Sequence, residues 1–295
     1  MVGAEADLLS GRAVAFVGSG TMAEAMMQVL MDRGLIPAGR ISASGPRKAR
    51  ALELNQRYGV AGTTDNREAV EAADIVVLSV KPQVLPTVLR ELNGAIYPLA
   101  LVLSIVAGMP IRTVAEGLQH PAVVRAMPNT PARIGQGMTV WTASQEVSGA
   151  QYRQASTILQ AMGYEKYVVD EGMLDMATAV SGTGPTYVFL VMEALTDAAV
   201  HLGFSRRVAE LLVSQTVLGS AMFAQQTDRH IAEMRNMVTS PGGTSAEAIY
   251  QLEKGGLRTV LSKAVWAAYQ KSRLLGAANQ RPQDPNGYGL LEQRD

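Results

Sequence analysis

The sequence predicts an α/β domain with a parallel sheet, followed by an all-α domain. In the first 170 residues, short apolar runs that fit strands alternate with segments of helical periodicity, as in βαβ units. From about Asp170 to Gly276 the periodicity is helical only. We therefore expect an α/β domain over 1–170, a helical domain over 171–276 and a disordered polar tail over 277–295.

Composition excludes several classes of protein. The 26 basic and 26 acidic residues and a pI near 6.9 give no reason to expect nucleic acid or a membrane surface as a partner. The chain has no cysteine, and His120, His201 and His230 lack a metal-binding spacing. The first ten residues do not resemble a secretory signal, and the apolar runs are too short to span a bilayer. We expect a cytoplasmic protein without a metal.

An apolar strand that leads through a glycine-rich turn into a helix forms the first motif. After the strand at 13–17 the chain reads Gly18-Ser19-Gly20-Thr21-Met22-Ala23. Gly18 permits a tight reversal, Gly20 lets N–H groups approach a pyrophosphate, and Ala23 keeps helix and strand close. The alternative is a turn in an unrelated α/β domain. Its position after the first strong strand favours a dinucleotide site.

The segment after the second predicted strand, at 40–44, bears on the choice of dinucleotide. NAD-binding domains usually place an acid there for the ribose 2′-hydroxyl, whereas this chain continues Ser44-Gly45-Pro46-Arg47-Lys48, with a helix from Pro46 to about 58. With no acid to repel a 2′-phosphate, the sequence favours NADP(H) and leaves NAD(H) open. Alternatively, Arg47, Lys48 and Arg50 form an ordinary solvated helix face.

Further strands are predicted at 74–80, 99–105, 123–126, 137–142 and 164–169, with helices ending near 118 and spanning 148–162. Lys81-Pro82 either ends the first of these strands and starts a helix, or lies with Val80 beside a bound dinucleotide. The segment 127–131 cannot be helical, because it holds two prolines and an asparagine. It is either a rigid turn or brings Asn129 and Thr130 to a nicotinamide or substrate.

The helical domain contains a segment, 187–192, that is apolar on every side. A domain of about a hundred residues has difficulty covering such a helix alone, so we expect an obligate dimer with interlocked helices. Helix caps are expected at Ser205, Asp228 and Thr244.

A second anion site is predicted at Ser240-Pro241-Gly242-Gly243-Thr244-Ser245, before a helix that ends near Lys254. Two glycines expose consecutive N–H groups and two hydroxyls stand beside them, which suits a small carboxylate. The alternative is a well-capped helix, because Thr244 and Glu247 have capping-box spacing. Spacing alone does not separate these two interpretations. Another polar helix start, at 181–185, follows Glu171 and Thr178, and capping is the simpler role for each residue taken singly.

Together these motifs resemble the pyrroline-5-carboxylate reductase family, over about residues 12–276. The specific motifs are Met127-Pro128-Asn129-Thr130-Pro131, Ser181-Gly182-Thr183-Gly184-Pro185 and Thr239-Ser240-Pro241-Gly242-Gly243-Thr244; Val80-Lys81-Pro82 and Ala107-Gly108 accompany them. The resemblance implies a Rossmann domain, an all-α dimerisation domain, and dimers that often form a decamer, a pentamer of dimers. It also implies NAD(P)H-dependent reduction of 1-pyrroline-5-carboxylate to L-proline, the last step of proline biosynthesis.

The motifs and the resemblance together assign the candidate site residues. Cofactor binding is expected at Val17, Gly18, Ser19, Gly20, Thr21, Met22, Ser44, Arg47, Asn66, Val80, Lys81, Pro82, Ala107 and Asn129. Substrate binding is expected at Gly242, Gly243, Thr244 and Ser245, and a catalytic contact with the ring nitrogen from Glu171, Thr178 or Ser181. Two positions depart from the family: Gly45-Pro46-Arg47 replaces the usual Asn/Ser-Arg, and Ser245 stands where threonine is frequent.

The implied chemistry needs position more than acid or base catalysis, because a protonated cyclic imine already has an electron-poor carbon. No lysine lies between Lys166 and Lys254, so the general-base lysine of related hydroxyacid dehydrogenases is missing. An imine substrate does not need one. Two alternatives stay open: an imine reductase or β-hydroxyacid-dehydrogenase-like enzyme with another substrate, and a dinucleotide-binding protein without turnover.

Overall fold

The computed structural model describes residues 8–278, which form two compact units. The first contains the chain up to Gly182 and again from Tyr269, and the second is Thr183–Ala268. The predicted tail lies outside the described residues, except for 277 and 278, which end the last helix. The domain bounds 1–170 and 171–276 stay a prediction.

An eight-stranded sheet forms the centre of the first unit. Its strands are β1 (Val14–Val17), β2 (Ile41–Ser44), β3 (Ala61–Thr63), β4 (Ile75–Leu78), β5 (Leu101–Ser104), β6 (Val123–Met127), β7 (Gly137–Ala143) and β8 (Gly163–Tyr167). The spatial order is β3-β2-β1-β4-β5-β6-β7-β8. Strands β1 to β6 are parallel, β7 is antiparallel to β6, and β8 is parallel to β7. This confirms the predicted Rossmann-type α/β fold.

Six helices of the first unit lie between these strands, and a seventh, α7, follows β8. They are α1 (Thr21–Asp32), α2 (Lys48–Tyr58), α3 (Asn66–Val70), α4 (Leu85–Leu92), α5 (Ile111–Leu118), α6 (Gly149–Ala161) and α7 (Met173–Ala177), with a π-helical turn at Thr178–Gly182. The second unit holds α8 (Gly184–His201), α9 (Arg206–Gln225), α10 (Ile231–Met237) and α11 (Thr244–Lys254), and α12 (Leu257–Ala278) ends in the first unit. The region after Asp170 is helical, as predicted.

Both faces of the sheet are covered at its central strands, β1, β4 and β5. In β1, Val14 and Phe16 pack into one apolar cluster, while Ala15 and Val17 pack into another on the opposite face. All four residues are at most 1% exposed. Because the faces of these central strands are buried, ligands can reach them only at their ends, and the carboxyl ends of β1 to β6 lie at one end of the sheet.

Several predicted boundaries were wrong. Helix α2 begins at Lys48 rather than Pro46, and α4 begins at Leu85, with Pro86 rather than Pro82 in its first turn. A 3₁₀ helix begins at Thr130 inside the segment expected to exclude helix. Proline is compatible with a first helical turn, because the N–H that it lacks has no partner there anyway.

Two predicted caps also differ from the structure. Helix α10 is capped by His230, whose Nδ1 accepts from the Ala232 N–H at 3.1 Å, and not by Asp228. Ser205 does occupy the N-cap position of α9, but makes no side-chain capping bond within the described part of the chain. A polar residue near a helix start is therefore not enough to predict the bond.

The second unit exposes a large apolar surface. On α8, Phe189 is 61% and Leu190 is 64% exposed, and Thr196 is the buried residue of this helix. The helix is therefore as uncovered within its own chain as the sequence predicted, which is typical of a surface that packs against another protein. None of the described helices has both the length and the hydropathy of a membrane span.

Candidate active site

The turn between β1 and α1 is the first part of the site. Gly18 has φ = +102°, and a Cβ there would lie 2.8 Å from backbone atoms of Ser79 and Val80, so the turn requires glycine. Gly20 is the N-cap of α1, and among the described residues nothing beyond its own chain neighbours lies within 4 Å of where its Cβ would be. The space before this helix can therefore admit a pyrophosphate, and the residues present fit a dinucleotide.

Ser79, which the sequence analysis did not identify, fixes this turn from β4. Its N–H donates to Val17 O at 2.9 Å and its hydroxyl to Gly18 O at 2.7 Å. On the other side, the Gly18 N–H donates to Ser44 O at 3.0 Å. A single serine after a buried strand carries no signal that distinguishes it in the sequence.

The end of β2 brings two predicted cofactor residues together. The buried Ser44 hydroxyl donates to Asn66 Oδ1 at 2.7 Å, and Asn66 Nδ2 donates to Glu91 at 2.5 Å. Arg47 is the N-cap residue of α2, and both Arg47 and Lys48 are exposed. This edge of the site therefore has a hydrogen-bonded polar pair followed by surface cations.

The next predicted cofactor residues follow the ends of β4 and β5. Val80 is followed by a turn over residues 81–84, which closes with a bond from the Val84 N–H to Lys81 O at 2.9 Å and has Pro82 as its second residue. After β5, Gly108 follows Ala107 with φ = +71°, and its Cβ would lie 2.7 Å from Ser272 O of α12. Gly108 is thus required for the close approach of α12.

Asn129 connects the end of β6 to the π-helical turn. Its Nδ2 donates to Ser181 O at 3.0 Å, and its Oδ1 accepts from a β7 N–H at 2.9 Å. The hydroxyls of Thr178 and Ser181 donate to main-chain carbonyls one turn earlier, at 2.7 and 3.0 Å. A hydroxyl group that donates a hydrogen bond can also act as an acceptor. π-Helical turns are frequent at functional sites.

Glu171 belongs to a partly buried ion-pair network. Its Oε1 accepts from the Ile111 N–H at 2.7 Å and from Arg125 Nη1 at 3.0 Å. Arg125 is 4% exposed and also donates to Asp175 at 3.0 Å, which accepts from the Ser272 hydroxyl at 2.8 Å. Two carboxylates thus compensate one buried guanidinium. These partners indicate that Glu171 has a structural role, and a catalytic role for it stays a prediction.

The second predicted anion site lies in the second unit and begins with a type II turn. The Gly243 N–H donates to Ser240 O at 3.0 Å, with Pro241 and then Gly242, at φ = +69°, in the central positions. This corrects the expectation that both glycines expose their N–H groups, because the turn uses that of Gly243.

The helix that follows the turn corrects the capping prediction. Helix α11 begins at Thr244, its N-cap is Gly243, and within residues 8–278 it has no side-chain cap. Thr244 and Glu247 therefore form no capping box, and the purely structural interpretation loses its support. The N–H groups of Thr244 and Ser245 open the helix, where they lack intrahelical partners and meet the positive dipole end. This start suits a small carboxylate.

Two family models match the chain. The model described as pyrroline-5-carboxylate reductase dimerisation matches residues 171–275, and that described as NADP oxidoreductase coenzyme F420-dependent matches residues 13–108. A curated pyrroline-5-carboxylate reductase from Pseudomonas aeruginosa is 42% identical over 260 residues, or 88% of this chain and 95% of the relative.

Solved structures agree in fold along nearly the whole chain. A pyrroline-5-carboxylate reductase from Coxiella burnetii has a TM-score of 0.80 at 37% identity and covers 90% of this chain and 98% of its own. The Plasmodium falciparum pyrroline carboxylate reductase with NADP bound has a TM-score of 0.84 at 29% identity, covering 91% and 99%.

Proposed function

The chain belongs to the pyrroline-5-carboxylate reductase family, and on that premise we propose the reaction and the roles of its residues. It is an NAD(P)-dependent oxidoreductase that reduces 1-pyrroline-5-carboxylate to L-proline, the last step of proline biosynthesis. One observation carries the proposal: the chain has a glycine turn that fits a dinucleotide before α1, and an uncapped helix start that suits a carboxylate at α11.

NADP(H) is the proposed preferred cofactor, with NAD(H) as a weaker alternative. The proposed cofactor residues are the separate positions that the sequence analysis assigned, of which Val17 is the first and Asn129 the last. The segment after β2 holds the exposed cations Arg47 and Lys48 in place of an acid, and an acid there would repel the 2′-phosphate of NADP(H). The segment therefore supports the preference for NADP(H). Bound NADPH supplies a hydride from C4 of its nicotinamide.

Catalysis by this chain consists mainly of orientation. The N–H groups of Thr244 and Ser245, with their hydroxyls, bind the substrate carboxylate, while Gly242 and Gly243 shape the turn. The hydroxyl oxygen of Thr178 or of Ser181 accepts a hydrogen bond from the N–H of the protonated ring nitrogen and stabilises the form that accepts hydride. Glu171, whose carboxylate also accepts from Arg125, is the third candidate for this hydrogen bond.

The oligomer is a homodimer interlocked through the helical units, with further assembly to a pentamer of dimers. The exposed apolar surface of α8 and the match to a dimerisation model support the dimer. We further propose a division into domains at residue 170 and a location in the cytoplasm.

A substrate panel tests the reaction. NADPH oxidation should accompany 1-pyrroline-5-carboxylate and yield stoichiometric proline, with much slower turnover of 3-hydroxyacids and of a cyclic imine without a carboxylate. Faster turnover of either would identify a related reductase with another substrate. NADPH binding without turnover of any imine would indicate a non-catalytic dinucleotide-binding protein.

A double variant tests the carboxylate site. Thr244→Ala with Ser245→Ala should raise KM for the imine about tenfold, or ~1.4 kcal/mol, because it removes hydroxyl bonds to a charged group. The Kd for NADPH should change little. Ser214→Ala is the control, since its exposed hydroxyl bonds to Leu211 O on α9. If only the NADPH affinity changed, the substrate assignment would be wrong.

A further inference from the structure

Arg50 is the partly buried member of the basic cluster that follows β2. Its Nε donates to Ser19 O at 3.2 Å, and its two terminal nitrogens pair with Glu24 at 2.5 Å and Glu53 at 2.7 Å. The side chain is 13% exposed. Arg50 is therefore already bound within the protein on three sides, in contrast to its exposed neighbour Arg47.

Glu24 supplies the charge that retains Arg50. It lies in the first turn of α1 and also accepts from Tyr58 at 2.7 Å and Arg57 at 2.9 Å. Burial alone would raise the pKa of Glu24, but hydrogen bonds from Tyr58 and Arg50 and the charges of both arginines lower it. Glu24 is thus ionised at neutral pH, and its charge and that of Arg50 are compensated.

The bond from Arg50 to Ser19 O fixes the orientation of one peptide group in the glycine turn. The Ser19–Gly20 peptide is trans, so its carbonyl and its N–H point in opposite directions. Holding Ser19 O toward α2 therefore directs the Gly20 N–H away from α2. Without this bond the peptide could rotate more easily, because the rotation changes φ of Gly20, which has no side chain to restrict it.

We propose that Arg50 is a positioning residue that orients the phosphate-binding turn for NADPH and NADH alike, while Arg47 distinguishes the two cofactors. The role follows from the contact with Ser19 O and from the pairing of Arg50 with Glu24 and Glu53. It rests on the proposed function only in that the turn binds a nicotinamide dinucleotide.

Dissociation constants of NADPH and NADH, measured by the fluorescence of the reduced nicotinamide, test this role without turnover. Arg50→Gln should raise both constants by the same factor, about tenfold, as for loss of a charge-assisted bond. Arg47→Gln should raise the constant for NADPH alone. Arg57→Gln is the matched control: Arg57 also pairs with Glu24 but is 59% exposed, and both constants should stay unchanged.

Arg50→Lys separates positioning from stability. Lysine keeps the charge beside Glu24 but lacks the planar fork that reaches three acceptors at once. This variant should keep the wild-type Tm and still lose affinity for both cofactors equally. An effect of Arg50→Gln on NADPH alone, an effect on neither cofactor, or full affinity in Arg50→Lys would each overturn the role. A wild-type chain that bound neither dinucleotide would instead overturn the proposed cofactor, and this role with it.

Discussion

Two glycines of one motif have different tasks. Gly18 lies at φ = +102° against the backbone of Ser79 and Val80, whereas Gly20 has an ordinary φ of −78° and faces open space. The glycine pattern assigned the reversal to Gly18 and the approach of a ligand to Gly20, and the structure adds the steric reason why the fold requires glycine at Gly18.

Alanine variants test this distinction. Gly18→Ala should lower the free energy of unfolding by about 1–3 kcal/mol, because of the disfavoured φ and the backbone overlap. Gly20→Ala should leave stability within about 0.5 kcal/mol and yet weaken NADPH binding, since its Cβ would occupy the space before α1. Chemical denaturation and cofactor titration measure the two effects. Equal loss of stability in both variants would contradict the account.

Glu24 should make stability depend on pH. A carboxyl whose folded pKa lies below its ordinary 4.5 stabilises the fold above that pH and loses this contribution as the pH falls through the folded value. Glu24→Gln should therefore lower Tm at neutral pH, and its difference from wild type should shrink below about pH 4.5. Glu116→Gln, at the exposed pair with Arg112, serves as control. A difference independent of pH would refute the assignment.

Sequence reasoning failed where one hydrogen bond had several possible partners. The spacing of Thr244 and Glu247 predicted a capping box, but the type II turn makes Gly243 the N-cap. The bonds that the Asn129 amide makes to β7 and to the carbonyl of Ser181, 52 residues away, were likewise not predicted, and the cofactor contact of Asn129 stays a prediction. Such pairings depend on the tertiary fold and have no local signal.

At the level of elements, the network around Arg125 links parts that are distant in the chain. Through Glu171 and Asp175 it joins β6 to α7 and to the start of α5, and Ser272 adds the end of α12. Neither the pairing nor the return of α12 to the first unit was predictable, because charge spacing in the sequence does not reveal partners 46 or 50 residues apart.

Removing Arg125 should be costly. Arg125→Met leaves two carboxylates in a partly buried site without their counterion, and we expect a loss of about 3 kcal/mol in the free energy of unfolding. Arg112→Met is the control, because its pair with Glu116 is largely exposed, and such pairs contribute about 0–1 kcal/mol. Urea titration of both variants distinguishes them. A similarly small loss in the free energy of unfolding for both variants would mean that the network around Arg125 does not stabilise the fold.

The helices and strands that could be predicted from the sequence were those with a clear apolar pattern. Buried strands such as β4 and β5 and the long helix α6 have clear apolar patterns, and each was predicted to within a few residues. The three-residue strand β3 and the short α3 were missed, because neither is long enough to show a period. The π-helical turn was missed because its main-chain hydrogen bonding is not encoded in a spacing pattern.

At the scale of the whole molecule, the sequence predicted an α/β unit and a helical unit that needs a partner. The parallel order of β1 to β6 follows from their alternation with helices, whereas the reversal at β7 does not. The exposed apolar surface of α8 is the structural counterpart of a helix that is apolar on every side.

A charge on this surface should disrupt the proposed dimer. Leu190→Asp places a carboxylate where we expect an apolar interface, so sedimentation should show monomers or loss of folded protein. Leu99→Asp is the control, because Leu99 is 74% exposed and lies in the first unit. If Leu190→Asp sedimented as the wild type does, α8 would not form the interface.

A crystal structure of the chain with NADP⁺ and L-proline tests the two-site account most directly. We predict the pyrophosphate before α1, within hydrogen-bond distance of the Gly20 N–H, and the proline carboxylate at the N–H groups of Thr244 and Ser245, with the proline ring against the nicotinamide. Proline bound away from the start of α11 and from the nicotinamide would contradict it.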